Sequence, residues 1–117
     1  MSTAVAIVEA GRIVRSDGAE IAVPWWSFTK TLIAAAVLAL VRDGALRLDD
    51  LLPGRPYSLR LLLQHRAGLA DYGDLKRYHD AVSRDETAWS SPALMQAVDA
   101  ERLRYEPGQG WGYSNIG

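Results

Sequence analysis

The sequence predicts an α+β domain, a β-hairpin followed by a mostly helical cluster packed around one central buried helix. Three observations point there. Alternating, β-prone residues crowd the first 23 positions, an unbroken apolar run fills 32–41, and helix-start signals recur at Ser58 and at Ser91-Pro92. With 117 residues and 49% hydrophobic content, the chain reads as a single domain over 1–117 that can bury a core.

The hairpin comes first. Residues 4–8 (Ala-Val-Ala-Ile-Val) favour a strand, Glu9-Ala10-Gly11 a turn, and Arg12-Ile13-Val14-Arg15 alternates polar and apolar before Ser16-Asp17-Gly18. A hairpin alone is marginal in water, so Glu20-Ile21-Ala22-Val23 is expected to return as a short third strand that Pro24 stops.

Trp26 to Gly44 follows as the long helix. Alanine and leucine are strong helix formers, Gly44 suits a left-handed C-terminal cap, and Ser27 is placed to cap the first turn. Its body from Leu32 to Val41 is apolar nearly all round, which predicts burial on most sides. It is too short to cross a bilayer, which takes about 20 apolar residues.

Beyond an irregular connector ending in Pro53-Gly54, Ser58 is expected to cap a helix from Leu59 to about His65, with Leu59, Leu62 and Leu63 inward and Gly68 past its end. A short helix is expected over 75–82. Ser91-Pro92 starts another that continues through Ala93–Leu103. Tyr105 to Gly117 carries four glycines and a proline and reads as a loop.

Composition narrows the function. A formal net charge of −1, with the basic residues scattered singly, argues against nucleic acid or an anionic membrane as partner. The chain has no cysteine, so thiolate chemistry and disulfides are excluded. His79, near Asp74 and Asp80, has no second histidine in register, so neither metal nor cofactor is expected. The first residues show no signal peptide, and the chain is expected to be cytoplasmic unless a leader precedes it.

Ser27 and Lys30 stand three residues apart at the start of the helix and so share a face. A serine hydroxyl needs a neighbouring base to become a nucleophile, and a lysine serves if its surroundings favour the neutral amine. Ser-x-x-Lys alone is weak evidence, since an N-cap serine beside a surface lysine looks the same. Tyr113-Ser114-Asn115 is more specific: with one asparagine, five tyrosines and eight serines, the triplet arises by chance in roughly one such chain in 300. A phenol can relay a proton, and an amide can bind lysine or donate to a substrate carbonyl. His65 reads as a capping or packing histidine. Trp25, Trp26, Trp89 and Trp111 read as core or rim packing, with Trp111 placed to line a substrate pocket.

These residues carry a resemblance to the N-terminal part of serine β-lactamase-like hydrolases, which include class C β-lactamases, D-alanyl-D-alanine carboxypeptidases and related esterases. Ser27-Phe28-Thr29-Lys30, the Leu-Leu-x-His-x-x-Gly-Leu run within Leu59–Leu69, Asp71-Tyr72-Gly73 and the Pro-Gly to Tyr-Ser-Asn segment occur in the family's order. The resemblance implies that Ser27 is the acylated nucleophile, that Lys30 and Tyr113 share general-base and general-acid duty, and that Asn115 binds substrate and holds Lys30. It implies too that the Ser27 amide is half of an oxyanion hole, and that the substrate is a β-lactam, a D-Ala-D-Ala peptide or a small ester. Ala67 replaces a serine common in the family, a change that touches packing more than chemistry. The family's third motif, Lys or His followed by Ser or Thr and Gly on a late strand, has no counterpart, and loss of such an oxyanion donor costs on the order of 10²–10³ in rate. The expectation is therefore a piece of the family domain, completed by a second copy or by a complementing C-terminal fragment. The competing reading is an inert fragment or interaction module that self-associates through its open strand edge.

Overall fold

The computed structural model describes residues 3–117. The chain divides into two compact units, Met1–Val37 and Leu38–Gly117. The first contains an antiparallel hairpin of β1 (Val5–Glu9) and β2 (Arg12–Asp17). Ala10 and Gly11 between them both have positive φ, 47° and 76°, which matches the twist of a two-residue turn to that of the strands. The register shifts after Ile7: Ile7 faces Arg15, but Val8 faces Ile13. Val14 is thus the extra residue of a bulge.

Two sequence expectations fail here. Glu20–Val23 forms no strand. Gly18 turns the chain at a φ of 63°, and the Ile21 amide closes back on the Gly18 carbonyl at 3.1 Å. A backbone folded on itself has no free edge to offer β2. The second failure concerns the long helix. A 3₁₀ turn at Trp26–Phe28 leads into α1 (Thr29–Arg42), the two amounting to the helix expected over Trp26–Gly44. Yet no α1 residue is buried, and Leu32, Ile33, Leu38 and Leu40 stand about half exposed. Covering an all-round apolar helix takes packed layers on several sides, and the described residues form only one two-stranded sheet. The boundary between the units falls within this helix.

The second unit holds α2 (Leu59–Leu63), α3 (Lys76–Ser83) and α4 (Ser91–Ala97). Ser58 caps α2, its hydroxyl accepting from the Leu61 amide at 3.4 Å. On α4 the capping serine is Ser90, one residue earlier than expected, with Pro92 in the first turn. Its helix also stops six residues short of Leu103.

The reason is a cap that the sequence did not advertise. Asp99 adopts a φ of 50°, its amide bonds the Gln96 carbonyl at 3.1 Å, and the Ala100 amide bonds the Met95 carbonyl at 3.0 Å. That paired closure is a Schellman motif. The same motif ends α1 at Gly44, α2 at His65 and α3 at Asp85. Only the first uses glycine.

A small core lies in this unit. Tyr57, Ala67 and Leu69 are buried, with Leu52, Leu61, Leu62, Leu103 and Ile116 packed against them. Two segments then lie side by side, one leaving α2 and one ending the chain. The Arg66 carbonyl accepts the Gly108 amide at 2.9 Å, the Gly68 carbonyl accepts the Arg104 amide at 2.7 Å, and the His65 carbonyl accepts the Gly112 amide at 2.9 Å. The Arg66 guanidinium also donates to the Gly108 carbonyl. Residues 65–71 are thereby a backbone template for the glycine-rich loop. No helix among the described residues is long and apolar enough to cross a membrane.

Candidate active site

Ser27 lies within the 3₁₀ turn, not at its cap: the capping position belongs to Trp25, with no side-chain hydrogen bond to the turn. Trp26, immediately before Ser27, has a φ of 51°. A large side chain in that region carries strain on the order of 1–3 kcal/mol. Its indole is 82% exposed, so little packing offsets that strain. Trp25 instead packs edge-on against Phe28, with ring centroids 5.2 Å apart. In the first turn of α1, Lys30 Nζ donates to Ser27 Oγ at 3.4 Å. The three-residue spacing read from the sequence therefore does bring hydroxyl and amine together.

Tyr113, Asn115 and Trp111 belong to the second unit. The Tyr113 hydroxyl donates to Asn115 Oδ1 at 3.0 Å. Between them Ser114 is buried, its hydroxyl donating to the Ala70 carbonyl at 2.7 Å and its amide to His65 Nδ1 at 3.3 Å. The Ser114 hydroxyl also accepts the Ile116 amide at 3.1 Å, which fixes the bend at Asn115. The His65 ring also stacks on Tyr113, with centroids 4.7 Å apart at 33°. Trp111 is largely exposed and meets His65 edge-on at 6.4 Å.

The carboxylate of Asp71, buried at 8% exposure, lies behind Asn115. It accepts the Asn115 backbone amide at 2.8 Å and the side-chain nitrogen at 3.1 Å and 3.2 Å. Gly73 leaves room for it: a Cβ there would lie 2.7 Å from Asp71 Oδ2. Reading the sequence gave Asp71 no role. The signal available was its place in Asp71-Tyr72-Gly73, one of the stretches that carry the family resemblance, but nothing in that stretch points to Asn115. His65 does both things expected of it, ending α2 and packing against the loop, and it also supplies the acceptor for Ser114, which the sequence left unstated.

The comparisons with known proteins bear on this arrangement. A Beta-lactamase family model matches residues 2–117. The chain belongs to the β-lactamase family. The match agrees with the N-terminal part of a serine β-lactamase-like protein, and with it comes a serine-hydrolase-like character. No curated protein and no solved structure gives a match. Within the β-lactamase family assignment, the hairpin and the four helices are compatible with an α+β fragment.

Proposed function

We propose that this β-lactamase-family chain contributes the nucleophile-bearing part of a serine hydrolase that works through an acyl-enzyme. The hydrogen bond between Lys30 Nζ and Ser27 Oγ carries the proposal. In the reaction that bond reverses. Ser27 Oγ attacks the carbonyl carbon of the substrate, its proton passes to the unprotonated amine of Lys30 or through Tyr113, and the leaving nitrogen or oxygen departs with a proton from the same pair. Water then attacks the ester at Ser27, the pair takes a proton from it, and the acid is released as Ser27 regains its hydrogen. Substrates are β-lactams, D-Ala-D-Ala peptides or small esters. In this scheme Asn115 and Trp111 bind the substrate. The scheme calls for a second oxyanion donor, supplied by another copy or by a complementing segment.

A second reading rests on the hairpin, where Ile7, Val8, Ile13 and Val14 are all exposed. It makes the chain an inert module that associates with itself through a strand edge.

Intact-protein mass spectrometry after incubation with a fluorophosphonate, and separately with a penicillin, tests the first reading. One adduct per chain, lost in Ser27→Ala, supports an activated Ser27. No adduct on wild type, together with a discrete dimer by light scattering, favours the module.

A further inference from the structure

We propose that Asp71 is a positioning residue for proton transfer, setting the direction in which the Asn115 amide faces Tyr113. The inference rests on the reading of Tyr113 as a proton relay for Ser27. The argument begins with what a carboxylate can do. An ionised carboxylate only accepts hydrogen bonds, so the side of Asn115 facing Asp71 must be its nitrogen. Asp71 meets that nitrogen with both oxygens, at 3.1 Å and 3.2 Å. The other end of the amide, Oδ1, is thereby turned to the Tyr113 hydroxyl, 3.0 Å away. An oxygen there makes the phenol the donor. A nitrogen there would make the phenol an acceptor and aim its proton elsewhere. A buried carboxylate in one segment thus selects which way a phenol in the other holds its proton.

Asp71 also has a plain structural task, because its Oδ1 accepts the Asn115 backbone amide at 2.8 Å. Asp71→Asn separates the two tasks. The new residue keeps an oxygen for the backbone amide and for one side-chain N–H of Asn115, but in place of the second oxygen its own NH₂ now stands against the Asn115 NH₂. Two donors cannot pair there, so the amide is no longer held one way round, and either its oxygen or its nitrogen comes to face Tyr113. In Asp71→Asn/Asn115→Asp the donor at 71 meets a carboxylate at 115, whose second oxygen again faces the phenol. The double variant therefore restores the acceptor for Tyr113 with the same backbone bond.

The test is the rate of Ser27 phosphonylation at saturating fluorophosphonate, followed by intact mass, together with thermal melting of each variant. A positioning role predicts a fall of about twofold or more in Asp71→Asn at a nearly unchanged melting temperature, as the competent orientation loses its exclusive population, with the rate recovered in the double variant. A purely structural role predicts that rate and melting temperature fall together without recovery, and equal rates in wild type and Asp71→Asn would overturn the proposal outright. If wild type takes no label, the hydrolase reading fails by itself. The orientation is then decided by selective ¹⁵N labelling of asparagine, of which the chain has only one. A side-chain NH₂ pair protected from solvent exchange supports the Asp71 contact, and a pair that exchanges like free asparagine removes it.

Discussion

His65 Nδ1 accepts the Ser114 amide at 3.3 Å, and this bond joins the end of α2 to the loop that carries Tyr113 and Asn115. The histidine reaches Ser114 only because its backbone has turned left-handed, with a φ of 55°. The Arg66 and His65 amides close the Schellman motif onto the Leu61 and Leu62 carbonyls at 2.8 Å and 3.0 Å. The strain of the cap is thus the means of placing the ring.

A paired substitution separates strain from contact. Asp85 is exposed and ends α3 with the same geometry at a φ of 53°. Asp85→Gly is expected to stabilise by about 0.5–1 kcal/mol, since removing roughly 1–2 kcal/mol of left-handed strain outweighs the greater entropy loss of glycine. His65→Gly relieves the same strain but leaves the Ser114 amide without its acceptor, a loss of about 1–3 kcal/mol, and gives up the ring stack on Tyr113. It is expected to destabilise. Urea titrations of the two variants should shift their midpoints in opposite directions.

Gly68 admits no side chain. Its φ is 87°, and a Cβ there would collide with the Tyr105 carbonyl oxygen, which the segments' backbone pairing holds in place. Gly68→Ala is expected to cost at least about 1–3 kcal/mol from the backbone region alone, with the collision added to it. The check is loss of amide-exchange protection at Arg104 and Gly112, whose amides bond to the Gly68 and His65 carbonyls.

Gly73→Ala acts on a side chain instead. Its methyl would meet Asp71 Oδ2 and push the carboxylate away from Asn115. The Asn115 backbone amide resonance is expected to move upfield as its hydrogen bond lengthens, with the far-ultraviolet circular dichroism retained. A spectrum unchanged at Asn115 would show that the carboxylate yields without losing its partner.

Charge pairs within the second unit make its stability depend on acid. The Arg55 guanidinium hydrogen-bonds both oxygens of Glu101 at 2.6 Å and, by that bond first and its charge second, holds the carboxyl below the usual glutamate range. The hydrogen bond from Arg60 likewise lowers Asp49. A carboxyl lowered in the folded state releases its proton more readily there than in the unfolded chain. Its contribution is therefore full above the ordinary carboxylate range and disappears as pH falls through the lowered folded value. Both pairs are solvent-exposed, so the effect is small and screened by salt. Glu101→Gln is expected to flatten the acid side of a melting-temperature profile at low ionic strength, and 1 M salt should erase the difference from wild type.

Local signals in the sequence determined much of this protein. The Ala10-Gly11 turn, the Ser58 cap, the Gly44 terminus and the Ser27–Lys30 spacing each depend on residues a few positions apart, where backbone geometry leaves little choice. The loop from Tyr105 onward was legible for the same reason. The tertiary structure alone decided what depends on distant partners. Burial of α1 requires neighbouring layers that no helical periodicity can report. The early end of α4 rests on left-handed Asp99, where no glycine marks the stop. Asp71 meets Asn115 because backbone bonds lay one loop along another, and no spacing along the chain encodes that meeting.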